Sequence, residues 1–115
     1  MPSLAVLEGG RLASGSVDWS IKIWDLATGV CVATLRGHGD GVLSLAVLEG
    51  GRLASGSADF TIKIWDLATH TCIATLEGHK EGISSLAALE GGKLVSGSYD
   101  GKILFWDSSL SDIIQ

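Results

Sequence analysis

The chain of 115 residues contains no asparagine, a single proline, two cysteines and few aromatics, 6% of its length. Without asparagine, and almost without proline, its turns must be made by the sixteen glycines together with Asp and Ser, which suits an all-β protein of short strands and tight turns. No run approaches the roughly 18 apolar residues of a membrane span, and no apolar N-terminal targeting segment is seen, so no membrane partner and a cytoplasmic location are expected. Eight Lys and Arg stand against thirteen Asp and Glu, a net charge of −5. With no basic stripe to neutralise phosphates, nucleic acid is not an expected partner. Cys31 and Cys72 have neither a CxxC spacing nor a histidine at ligand distance. They occupy equivalent places in successive repeats, too far apart for a disulfide, and are expected as small buried apolar side chains in strands.

What the chain does have is repetition. Leu4–Ser44 returns as Leu45–Ser85 with about 30 of 41 positions identical, and again in shortened form as Leu86–Gln115. A fixed period of this length signals a repeat architecture. In the middle copy, Val42–Leu48, Arg52–Ser57, Thr61–Asp66 and Cys72–Leu76 read as four short strands separated by turn residues such as Glu49-Gly50-Gly51. Runs such as LAVL lack alternation, so those strands are expected to be covered on both faces. A small sheet of that kind is satisfied only by stacking on like neighbours.

The Gly-His before the first strand, LASGSxD in the second and IKIWD in the third resemble the blades of WD-repeat β-propellers. The resemblance covers essentially the whole chain as one domain: blade 1 at about 1–36, blade 2 at about 39–77 and blade 3 at about 80–115. It implies an all-β fold of four-stranded antiparallel blades, and within each blade a hydrogen-bonded set of His, Ser or Thr, Asp and Trp. Carried over, these are His38, Ser55, Asp59 and Trp65 in blade 2, and His79, Ser96, Asp100 and Trp106 in blade 3. Blade 1 holds Ser14, Asp18 and Trp24 without a histidine. Ser57 and Ser98, two residues on and on the same strand face, stay open as alternatives for the serine.

Ser, His and Asp could suggest a hydrolase triad. Their recurrence once per repeat argues instead for structure, and buried indole and imidazole groups need such partners. There is no lone nucleophile, paired-acid site or phosphate loop. The glycines of LEGGR and ASGS recur as turn and packing residues rather than as a dinucleotide fingerprint. No enzyme activity, cofactor or metal site is expected.

Three full periods of 41 would take 123 residues against the 115 present, and the part without a counterpart matches Thr75–Gly82. Ile113-Ile114 align with Cys72-Ile73, so the outer strand of blade 3 is expected to begin there. Closed propellers use four to eight blades, and three alone would show two apolar end faces. Stacking blade 3 of one chain on blade 1 of the next, as a dimer or trimer, gives a ring of six or nine blades. The function expected is that of a non-catalytic protein–protein interaction scaffold. The alternative is a fragment or engineered piece of a recently amplified propeller whose only activity is assembly.

Differences between copies cluster on the turn aspartate. Val17, Ala58 and Tyr99 precede it; Trp19, Phe60 and Gly101 follow it. A second cluster sets Gly39-Asp40 against Lys80-Glu81. The resemblance places both on one face around the channel mouth, where a protein or peptide partner is expected to touch Val17, Trp19, Ala58, Phe60 and Tyr99. His70, in the link on the opposite face, is expected to be simply exposed.

Overall fold

The computed structural model describes residues 3–16 and 18–107. Eleven strands run in chain order: β1 (Leu4–Leu7), β2 (Arg11–Gly15), β3 (Ile21–Asp25), β4 (Val30–Leu35), β5 (Val42–Leu48), β6 (Arg52–Ser57), β7 (Thr61–Asp66), β8 (Thr71–Glu77), β9 (Ile83–Leu89), β10 (Lys93–Ser98) and β11 (Ile103–Asp107). They form antiparallel meanders: β1-β2-β3-β4, β5-β6-β7-β8 and, among the described residues, β9-β10-β11. The expected outer strand at Ile113-Ile114 lies outside the described residues. Each first hairpin closes through Glu-Gly-Gly. Gly50 and Gly51 have φ of 79° and 72°, a pair of left-handed residues that a β-carbon would disfavour.

Packing between blades repeats with the sequence. Ala13, Ile21, Ile23 and Leu35 of the first blade bury against Val42, Leu53 and Trp65 of the second. Their equivalents Ala54, Ile62, Ile64 and Leu76 bury against Ile83, Leu94 and Trp106 of the third. Full burial of one such isoleucine contributes about 1.5–3 kcal/mol. The blades touch most closely at glycine: a Cβ on Gly15 would lie 2.6 Å from Val42 Cγ1, and one on Gly56 would lie 2.6 Å from Ile83 Cγ2. The glycine of ASGS is therefore the slot into which the next blade's first strand fits.

Two expectations are corrected. The inner strands are not covered on both faces throughout, since Leu4 and Val6 of β1 and Val47 of β5 are exposed. The cysteines are free and exposed rather than buried. Both sit on outer strands where the ladder slips: Trp24 pairs with Cys31 and Trp65 with Cys72, after a bulge between Ile23/Trp24 and between Ile64/Trp65. A bulge re-aims side chains, and here the extra residue, Val32 or Ile73, lies on the outer strand beside the exposed cysteine.

Gly56→Ala is expected to lower stability by about 1–3 kcal/mol, the usual cost of overpacking. Urea unfolding reads it, and a loss under about 0.5 kcal/mol would mean that the blades do not approach this closely.

Candidate functional site

The strand order brings each hydrogen-bonded set together at one end of its blade. In the middle blade, the Trp65 indole N–H donates to Ser55 Oγ at 2.8 Å, and Ser55 Oγ lies 2.6 Å from His38 Nε2. His38 Nδ1 lies 2.9 Å from Asp59 Oδ2. The tautomer that satisfies every atom has Nδ1–H donating to the carboxylate and Nε2 accepting from the serine. Blade 3 repeats the chain through Trp106, Ser96, His79 and Asp100, with distances of 2.8, 2.7 and 3.2 Å. Blade 1 has the first link, Trp24 Nε1–H to Ser14 Oγ at 2.9 Å.

Ser57 does different work from Ser55. Its hydroxyl donates to the Gly41 carbonyl at 2.9 Å and accepts from the Asp59 N–H at 3.0 Å, fastening the junction loop to the turn. Ser98 does the same toward Glu81 and Asp100. The Trp–Ser–His chain thus runs through Ser55 and Ser96.

Two contributors escaped sequence reasoning. Thr61 Oγ1–H donates to Asp59 Oδ1 at 2.6 Å, and Ser20 Oγ–H to Asp18 Oδ1 at 2.7 Å. A hydroxyl two residues after a turn Asp is the signal that could have found them. Gly37 and Gly78, just before the histidines, pack on the indoles, 3.4 Å from Trp65 Cη2 and 3.1 Å from Trp106 Cη2 for an added Cβ.

Carboxylate–imidazole–hydroxyl is also the order of a serine hydrolase relay. Ser55, however, is fully buried, and its oxygen already accepts the indole N–H. No substrate carbonyl can approach it. The arrangement can brace a loop but has no open nucleophile.

The same end of the sheets carries the residues that vary between copies. Trp19 and Phe60 are about half exposed, at 51% and 47%, and Tyr99 is exposed. Val17 lies outside the described residues. Trp19 and Phe60 have φ of 79° and 76°, and the equivalent Gly101 has 82°. The turn therefore requires a left-handed residue, which costs a non-glycine roughly 1–2 kcal/mol; two copies nonetheless carry a large aromatic there. Ala58 and Tyr99 come together around Gly82, whose added Cβ would lie 3.3 Å from Ala58 Cα and 3.5 Å from Tyr99 Cδ2. His70 is exposed in the link between β7 and β8, at the other end. At that end a cleft of about 350 Å³ opens between the first two blades, lined by Leu7, Arg11, Leu48, Glu49, Arg52 and Leu67. Among the described residues no group of His, Cys, Asp and Glu could hold a metal ion, and no helix is long and apolar enough to cross a membrane.

Burial pushes the His38 pKa below its ordinary 6.5, outweighing the Asp59 carboxylate that favours the charged ring. Burial also opposes ionisation of Asp59, but the Thr61 hydroxyl, the Gly39 N–H and His38 together hold it down to about 2. Asp100 is held to about 2 chiefly by the Lys80 N–H, and Asp18 to about 2 chiefly by the Ser20 hydroxyl. Both kinds of shift have one sign: the unfolded chain binds more protons, so stability falls with falling pH. His38 acts as pH drops below 6.5, and the aspartates act from 3.8 towards 2. Urea midpoints measured against pH should therefore fall in two stages, and His38→Gln should flatten the first while leaving the acid limb. A midpoint that is level from pH 7 to about 5 would contradict the neutral buried ring.

A family description, "WD domain, G-beta repeat", matches residues 3–25, 29–66 and 70–107. Nuclear distribution protein PAC1 of Gibberella zeae is 53% identical over 38 residues, 33% of this chain and 8% of that protein. The Lissencephaly-1 homolog of Dictyostelium discoideum is 61% identical over 33 residues, 29% of this chain and 8% of that protein. Two solved structures, of U3-55K and of RRP9 WD40 repeats, each align at a TM-score of 0.85 and 32% identity, over 91% of this chain and 33% of theirs. The chain thus spans under a tenth of those relatives and about a third of those solved chains. Tandem matches over most of its length, on sheets of which the second and third each hold a Trp–Ser–His–Asp chain, show that it belongs to the WD-repeat family of β-propellers.

Proposed function

We propose that the chain is a non-catalytic protein-interaction scaffold that assembles end to end into a closed propeller of six or nine blades. WD-repeat proteins are generally scaffolds for protein partners. The observation that carries the assembly is the equivalence of the end faces to the internal interfaces. Ile62 and Ile64 are 0% exposed between blades 2 and 3, whereas their counterparts Ile103 and Phe105, on the far side of blade 3, are 65% and 72% exposed. Leu26 on blade 1 is likewise exposed where its counterpart Leu67 is buried. One end presents the half-interface that the other end completes, so a second copy docks head to tail with contacts of the kind already present between blades.

The partner surface of this scaffold is the turn face bearing Trp19, Ala58, Phe60 and Tyr99. Large rings on an accessible rim act as binding anchors. Their retention in a turn whose backbone favours glycine supports a role outside folding.

Light scattering coupled to size exclusion should give two or three times the chain mass of 11.9 kDa, and Phe105→Asp should give the single chain mass. A folded wild-type monomer would overturn the assembly. Replacing Trp19 and Phe60 together by glycine should leave stability unchanged or raise it by up to about 2 kcal/mol. A clear loss of stability would make the aromatics packing residues rather than partner contacts.

A further inference from the structure

An aspartate in a turn can use its side chain in two ways. It can reach past its neighbour and accept the N–H two places on, or it can fold back onto the N–H of the very next residue. Asp18, Asp25, Asp59, Asp66 and Asp100 all reach past, each Oδ1 accepting the N–H two residues on at 2.8 to 3.1 Å. The nitrogen directly after each of them is held elsewhere, donating to the carbonyl of Ser16, Gly10, Ser57, Gly51 or Ser98. Asp40 folds back. Its Oδ1 accepts the Gly41 N–H at 2.7 Å.

That contact sets the side-chain carboxyl carbon beside the one backbone nitrogen with which it can close a succinimide ring. Proximity of this kind is what turns a slow encounter into a reaction. Glycine adds no β-carbon to shield the nitrogen, and Asp40 is exposed to water. The chain holds the Asp-Gly dipeptide twice, at Asp40-Gly41 and Asp100-Gly101. At the second, the carboxylate is engaged by the Lys80 N–H, the Lys102 N–H and His79, and the Gly101 N–H donates to the Ser98 carbonyl at 3.1 Å. One dipeptide is thus set for ring closure and its twin is tied away from it.

We propose that Asp40-Gly41 is a site of spontaneous covalent modification, where the aspartate converts to a succinimide and then to isoaspartate while Asp100-Gly101 is protected. The Gly41 nitrogen bonds to the carboxyl carbon, the bond from that carbon to its protonated oxygen breaks, and the amide proton leaves with the hydroxyl as water. Water then reopens the ring. Addition at the side-chain carbonyl restores Asp40. Addition at the main-chain carbonyl breaks the original peptide bond, so that the chain runs through the side chain and the former peptide carbonyl becomes a free carboxylate. That carbonyl is the one the Ser57 hydroxyl contacts at 3.2 Å, beside the Gly41 carbonyl at 2.9 Å. The modification therefore acts where the junction loop is fastened to the turn. Because it lies in that loop and not on a stacking face, it does not depend on end-to-end assembly.

The test is ageing of the full chain in neutral buffer, folded and in denaturing urea, followed by tryptic digestion. Asp40 and Asp100 fall in separate peptides, 37–52 and 94–102. Mass spectrometry reads the succinimide as the loss of one water. Isoaspartate appears as a peptide of unchanged mass that elutes apart and takes a methyl group from S-adenosylmethionine when an isoaspartyl methyltransferase is added. In the folded chain, product in peptide 37–52 should form about tenfold or more faster than in peptide 94–102. In urea, where neither dipeptide is constrained, the two rates should converge. Asp40→Glu, which copies Glu81 at the same place in the third repeat, should abolish the 37–52 product and leave 94–102 unchanged. No product at 37–52 in the folded chain, equal rates at the two dipeptides when folded, or the same difference persisting in urea would each overturn the proposal.

Discussion

Everything in this molecule depends on the contact between one blade and the next. A four-stranded sheet of this size has two faces, and Ala54, Ile62, Ile64 and Leu76 make one of them largely apolar, so it is stabilised when another sheet covers it. The fit is set at glycine: the second strand gives up its side chain at Gly15 and Gly56 so that Val42 and Ile83 can enter.

The hydrogen-bonded sets work within this frame at the level of the single blade. The indole that packs against the neighbouring blade is the donor that starts the polar chain, so packing and polar satisfaction are coupled through Trp65 and Trp106. Burial removes the histidine's charge and the turn hydroxyls secure that of the aspartate. What resembles a catalytic relay is used to fasten the junction loop over the end of the second strand. A fully enclosed serine oxygen that already accepts one hydrogen bond is a poor nucleophile, whatever the identity of its neighbours.

Much of this was legible in the sequence because repetition exposes which positions are tied to one another. The strands of the middle blade were readable to within one residue, β8 running from Thr71 to Glu77 where Cys72–Leu76 was expected. The family resemblance supplied His38, Ser55, Asp59 and Trp65 as a set. Periodicity alone could not separate Ser55 from Ser57, which share a strand face; only the position of the indole does so. Cysteine exposure was misjudged because a bulge breaks the alternation on which burial is read, and because outer strands have one covered side. Thr61 was missed since a hydroxyl following a turn looks like ordinary turn chemistry. The left-handed backbone at Trp19 and Phe60 was hidden for a different reason: only Gly101, in the third copy, announces it.

Amide hydrogen exchange followed against chain concentration tests most directly the claim that stability resides in blade–blade contacts. If it does, the second strands of blades 1 and 3 exchange faster than β6 in dilute solution and approach its protection as concentration rises and their open faces are covered. Protection of all three second strands that is equal and independent of concentration would contradict the account, because each blade would then be stable without a neighbour on its exposed face.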